Sequence, residues 1–102
     1  MHVIKPSRIP EFARKHARAS ASLGIWLVKV RNANWENFSD VRATFGTADQ
    51  VAVGSGKNVI VFNIGGNDYR LICAVHYNRR NLYVLRFLTH AEYDKNIWKK
   101  EL

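Results

Sequence analysis

The chain has 102 residues, 47% of them hydrophobic, with 16 Lys and Arg against 8 Asp and Glu, a formal charge of +8. That length suits one domain spanning residues 1–102, and the apolar content excludes a disordered polypeptide. No apolar run approaches the roughly 20 residues of a membrane span. The N-terminal Met1-His2-Val3-Ile4-Lys5-Pro6 lacks the apolar core and small-residue cleavage site of a signal peptide. The single cysteine, Cys73, has no disulfide partner and lies in an apolar run, where a thiol is usually buried and inert. A cytoplasmic protein is expected, and its excess positive charge favours a polyanion or an acidic protein as partner.

Ser7 stands where it would cap a first helix, with Pro10 tolerated in the first turn. Ile9, Phe12, Ala13, His16 and Ala17 fall at helical spacing, while Arg8, Arg14, Lys15 and Arg18 lie mostly off that stripe. Small residues from Ala19 to Ser22 mark a joint, and a second helix is expected from about Ala21 to Asn32 with Leu23, Trp26, Leu27 and Val30 buried. The two make a basic helical hairpin. After a polar connection, Ser39 is placed to cap a short helix from Asp40 to Phe45, with Gly46 as its stop.

From Val51 the apolar period changes to two. Val51-Ala52-Val53 reads as a short strand and Asn58 to Ile64 as a long one. The tight turn Gly65-Gly66-Asn67 makes the following strand, Asp68 to Tyr77, pair antiparallel with it. A turn at Asn78-Arg79-Arg80-Asn81 precedes a third long strand, Leu82 to Leu88, and a closing helix runs from His90 to about Lys99. Helices segregated from an antiparallel sheet make the fold α+β.

No Cys-x-x-Cys, His-Glu-x-x-His or carboxylate cluster is present, so neither a metal nor a cofactor is expected. Gly54-Ser55-Gly56-Lys57 resembles a phosphate loop only superficially. It lacks the spacing and the hydroxyl residue after the lysine, and it leads into a strand. The more informative stretch is Thr89 to Lys95. Thr89 and Glu92 have the spacing of a capping box, which puts His90 first in the helix with Tyr93 and Asp94 on its face. A helix N-terminus attracts anions, phosphate included, and disfavours an imidazolium, so His90 is suited to accept a proton.

These groups suit cleavage of RNA, which carries its own nucleophile in the 2′-hydroxyl. An enzyme need only deprotonate it, stabilise the crowded phosphorane and protonate the leaving 5′-oxygen. Lys57, Arg70, Arg86, His90, Tyr93 and Lys95 all fall near the sheet. Each also has a structural role open to it. Arg70 can pair with Asp68 or Asp94, His90 can cap the helix, and Tyr93 can pack over the sheet edge. Asp94 is better placed to orient Arg70 or His90 than to react itself, and Asn63 and Asn67 bracket the glycine turn.

Phe62-Asn63-Ile64-Gly65-Gly66-Asn67-Asp68-Tyr69-Arg70-Leu71, followed by Thr89-His90-Ala91-Glu92-Tyr93-Asp94-Lys95, resembles the HigB family of type II toxins. Ser39 to Phe45 and Ala48-Asp49 resemble the same family's middle segment. The resemblance implies a RelE/ParE-like fold, with an N-terminal helical hairpin packed on a small antiparallel sheet and a short C-terminal helix. It implies a ribosome-dependent mRNA endonuclease that halts translation and is neutralised by a HigA-like helix-turn-helix antitoxin, the pair binding operator DNA only as a complex. Carried over by position, Arg70, His90 and Tyr93 are the expected catalytic residues. Lys57, Arg86 and Lys95 are the expected RNA- or phosphate-binding residues, with Asn67 and Asp94 in support. The alternatives are a ParE-like gyrase poison, which would not need the acid-base cluster, and a non-catalytic RNA-binding module.

Overall fold

A computed structural model describes residues 1–102. In chain order its elements are β1 (His2–Ile4), α1 (Arg8–Lys15), a 3₁₀ turn (Ala17–Ala19), α2 (Ser20–Arg31), α3 (Phe38–Thr44), β2 (Asp49–Ala52), β3 (Asn58–Ile64), β4 (Tyr69–His76), a second 3₁₀ turn (Tyr77–Arg79), β5 (Asn81–Thr89), α4 (His90–Asp94) and α5 (Ile97–Glu101). This is α+β, as the alternation of apolar periods suggests. No helix is long and apolar enough to cross a membrane.

The sheet has five strands in the order β1-β5-β4-β3-β2. The β3–β4 hairpin aligns Ile64 with Tyr69 and Asn63 with Arg70. Gly65 and Gly66 take φ of 62° and 69°, a conformation that costs glycine little and other residues more. Alternation then sorts the side chains. Ile60, Phe62, Ile64, Leu71, Cys73, Leu82 and Val84 join the larger core with Leu23, Trp26 and Val30 of α2 and Val41 of α3. Val59, Val61 and Ile72 face the other way and form a smaller cluster with Val53 and Trp98 of α5. Each buried aliphatic or aromatic side chain contributes about 1.5–3 kcal/mol.

The structure corrects four of the sequence-based expectations. The sheet is not wholly antiparallel, because β1 pairs parallel with β5, Val3 opposite Leu82. Three residues are too few for alternation to announce a strand, and the partner lies at the other end of the sequence. The cap of α3 is Asn37, whose side chain accepts from the Asp40 amide at 3.0 Å, so Ser39 lies inside the helix. Ser7 sits at the cap position of α1 but makes no side-chain capping bond. The closing helix is broken into α4 and α5 at Asn96, which takes a left-handed φ of 61°, a conformation asparagine tolerates better than most residues. The break turns the chain so that Trp98 is 3% exposed while Ile97 stands 57% exposed.

One irregularity lies in β5. Ile72 pairs with Arg86 but Cys73 pairs with Val84, leaving Leu85 as an extra residue in a β-bulge. Beyond Tyr83, β5 has no neighbour on the β1 side. Arg8 of α1 reaches this edge, donating Nη1 to the Val84 carbonyl and Nη2 to the Leu85 carbonyl at 3.3 Å.

Candidate active site

The strand-to-helix junction follows the capping-box pattern. Thr89 Oγ1 accepts from the Glu92 amide at 3.2 Å, and Glu92 Oε1 accepts from the Thr89 amide at 2.9 Å. The bond from the Thr89 backbone is the main reason the Glu92 carboxyl is held below its usual range. His90 begins α4, and its amide donates to the Asp68 carbonyl at 2.9 Å, tying the helix start to the glycine turn. The hairpin register brings Arg70 to the same place, since Arg70 pairs with Leu88, two residues before the junction.

Arg70 is the one buried charged residue, 9% exposed. Its Nη1 donates to the carbonyls of Asn67 at 3.0 Å and Tyr69 at 3.1 Å, and its Nη2 lies 3.3 Å from His90 Nδ1. The guanidinium carbon stands 5.6 Å from the centre of the Tyr93 ring. No carboxylate pairs with it. Asp68 is taken by Arg18 at 3.6 Å, and Asp94 by His90 Nε2 at 3.2 Å. The two structural partners considered for Arg70 are therefore both engaged elsewhere.

These contacts set the state of His90. A guanidinium only donates hydrogen bonds, so Nδ1 facing Arg70 is an acceptor and Nε2, facing the Asp94 carboxylate, carries the proton. The imidazole side chain is about half exposed. Tyr93 is held between two groups. Its ring stacks on Trp98 at 5.2 Å and 20°, and the Arg70 guanidinium stands over it. Burial raises the Tyr93 phenol above its ordinary value, and Asp49 adds to the rise. Trp98 also donates Nε1–H to the Tyr93 carbonyl at 3.0 Å.

Arg70, His90, Tyr93 and Asp94 therefore come together, with Asn67 supporting Arg70 through its carbonyl and accepting from Asn63 Nδ2 at 3.5 Å through its side chain. Three other expected residues stand apart. Arg86 turns to α5, 3.7 Å from Glu101, and donates to the Leu85 carbonyl at 2.9 Å. Lys95 lines a recess with Leu88, Glu92 and Trp98. Lys57 precedes β3, six residues from Asn63, which places it about 20 Å along the sheet from Arg70. That Trp98 backs Tyr93 is not legible in the sequence. A helical reading through Asn96 puts the two residues five apart, off a shared face.

The glycine turn, the capping box and the Arg70–His90–Tyr93 cluster all lie within a stretch matched by one family model. Residues 19–96 match HigB_toxin, described as the RelE-like toxic component of a toxin-antitoxin system. The chain belongs to the HigB toxin family. It is 25% identical over 95 residues to the mRNA interferase HigB of Escherichia coli O6:H1, covering 93% of this chain and 90% of that protein. It is 26% identical over 94 residues to the mRNA interferase toxin HigB of E. coli K12, covering 92% and 88% respectively. The mRNA interferase HigB of Shigella flexneri gives the same identity and coverage. The candidate site of this HigB family member lies inside the matched segment.

Proposed function

We propose that this protein is the toxin of a type II toxin-antitoxin system and an endoribonuclease that cuts mRNA through its 2′-hydroxyl, without a metal ion. The observation that carries the reading is Arg70. It is a buried guanidinium with no carboxylate partner, beside the imidazole of His90 and the protonated phenol of Tyr93. A buried charge without a counter-ion is costly. A phosphodiester supplies the missing negative charge, and charge-assisted bonds to it strengthen as the phosphorane forms.

The contacts support the following chemistry. A phosphate oxygen that takes up Arg70 Nη2 releases the Nδ1 lone pair of His90. Nδ1 then accepts the 2′-hydroxyl proton, and Asp94 steadies the imidazolium through Nε2–H. The 2′-oxygen bonds to phosphorus as the bond to the 5′-oxygen breaks, and Tyr93 gives its proton to that leaving oxygen. The products are a 2′,3′-cyclic phosphate and a 5′-hydroxyl end. The raised phenol stays protonated near neutral pH, as an acid in this step must.

The fold is read as RelE/ParE-like, supported by the α+β architecture and the family match. The toxin acts in the cytoplasm on message held by the ribosome and is neutralised by a HigA-like helix-turn-helix antitoxin, operator DNA being bound by the complex of the two. The mRNA interferase names of the relatives support the substrate. Primer extension on message-programmed ribosomes tests this, with naked mRNA and the Arg70→Ala and His90→Ala variants in parallel and folding checked by circular dichroism. New 5′ ends on ribosomes alone, lost in both variants, are expected. Folded protein that makes no new ends overturns the reading and directs attention to gyrase.

A further inference from the structure

The face of the sheet that carries Arg70 continues to a second recess at its opposite end. The recess has a volume of about 340 Å³, with Ser55, Lys57, Asn58 and His76 on its polar rim and Val59 and Leu85 among its apolar walls. Ligand pockets typically begin near that size. His76 lies six residues along β4 from Arg70, an even offset, so both side chains leave the same face about 20 Å apart.

The recess is built by a close approach. Gly54 donates its amide to the Lys99 carbonyl at 2.8 Å, and a Cβ at Gly54 would meet that oxygen at 3.1 Å. Glycine there lets the α5 backbone lie against the loop before β3. Lys57 is exposed and forms no ion pair, and the same holds for Arg79 and Arg80 in the turn after β4. His76 is exposed and held edge-on by Tyr83, ring centres 5.1 Å apart at 76°. An apolar floor, an exposed imidazole ring, an amide and an unpaired cation meet in one place.

We propose that this recess binds a nucleotide of the same RNA strand whose phosphodiester lies at Arg70. The base rests on the apolar floor against His76, Asn58 and Ser55 face its polar edge, and Lys57 meets its phosphate. The proposal rests on the RNA-cleavage reading of the Arg70 end, and it gives Lys57 a phosphate contact a few nucleotides from the cut. The loop Gly54-Ser55-Gly56-Lys57, which does not fit a nucleotide-binding fold, thereby finds a use in gripping one residue of a polymer.

The test is nuclear magnetic resonance titration of the full chain with a 2′-O-methyl octaribonucleotide, which lacks the attacking hydroxyl, and separately with 5′-AMP. The octanucleotide should shift the amides of Ser55 to Val59, Val75 and His76 together with those around Arg70 and His90. Lys57→Ala should lower the slope of log binding constant against log salt by about 0.7, the share of one single-strand phosphate contact. His76→Ala should weaken binding about tenfold, the scale of one lost stacking contact. Both positions are exposed, so neither change threatens the core. Shifts confined to the Arg70 end, or variants that bind like the parent, overturn the proposal and leave the cleavage reading standing. Saturation of the recess by 5′-AMP at least as tightly as by the octanucleotide also overturns it, since the strand then adds nothing. Shifts at neither end overturn the proposal too, while the cleavage reading, which places the message on the ribosome, is decided by primer extension.

Discussion

Replacing Arg70 by methionine should abolish most cleavage while leaving stability nearly unchanged. The substitution keeps the length of the side chain and removes its charge. Lost are the hydrogen bonds to the Asn67 and Tyr69 carbonyls and to His90 Nδ1. Bonds to charged groups are each worth about 1.5–3 kcal/mol net. Removed along with them is the cost of holding a guanidinium at 9% exposure with no carboxylate beside it, a penalty of several kcal/mol per ion. The two terms are of similar size, so unfolding free energy in urea should stay within about 1 kcal/mol of the parent. Cleavage should fall about 10²–10³-fold, the scale of losing one donor that stabilises developing charge. Arg70→Lys restores the charge but not the fork that spans two carbonyls and a phosphate, and should recover only part of the rate. The assay is ribosome-programmed cleavage alongside urea unfolding. A loss of more than about 3 kcal/mol in stability, with parental cleavage by the folded fraction, would show that Arg70 is a structural residue and refute the argument.

Tyr93→Phe keeps the stack on Trp98 and removes the proton donor, so cleavage should drop about 10²–10⁴-fold with little change in the thermal midpoint. Because burial raises the Tyr93 phenol, its contribution to stability is complete below the ordinary phenol value of 10.0 and is lost as pH climbs through the raised folded value. Alkaline unfolding of Tyr93→Phe should therefore lack that share of the decline. Glu92 works in the opposite sense. Its lowered carboxyl contributes stability above its ordinary value of 4.5, lost as pH falls through the lowered folded value. Thr89→Ala should cost about 1 kcal/mol at neutral pH and shrink that acid-side loss, both measurable by urea unfolding across a pH series. Gly54→Ala forces a Cβ to within 3.1 Å of the Lys99 carbonyl, and calorimetry should show about 1–3 kcal/mol of destabilisation.

What the sequence reveals of this molecule is mainly what is encoded locally. The strand from Asn58 to Ile64 runs between the expected residues because Val59 to Phe62 is a β-branched and aromatic run buried on both faces and glycine turns bound it. The capping box forms as its spacing implies because both partners lie within one turn. Elements defined by distant partners were not legible. β1 is a strand only because β5 lies beside it, and the Leu85 bulge exists only in the register between β4 and β5. At the candidate site the sequence named residues that the fold brings together, but not their pairing. Asp68 and Asp94 were both within reach of Arg70 on paper. Arg18 and His90 take them, and those choices depend on the 3₁₀ turn after α1 and on the opening of α4. Asn96 looked like an ordinary helix residue, and its left-handed conformation decides where Trp98 packs.

The guanidinium of Arg8 has a consequence for how this protein behaves in concentrated solution. Past Tyr83 the outer edge of β5 would offer bare carbonyls to any passing extended chain, and unpaired edges of this kind template aggregation. Arg8 occupies the Val84 and Leu85 oxygens and rests over Phe12, 5.4 Å from its ring centre, and so places a charge where another strand would add. Overall charge opposes association everywhere on a small, highly basic protein, whereas the first helix, through one side chain, opposes strand addition at this edge.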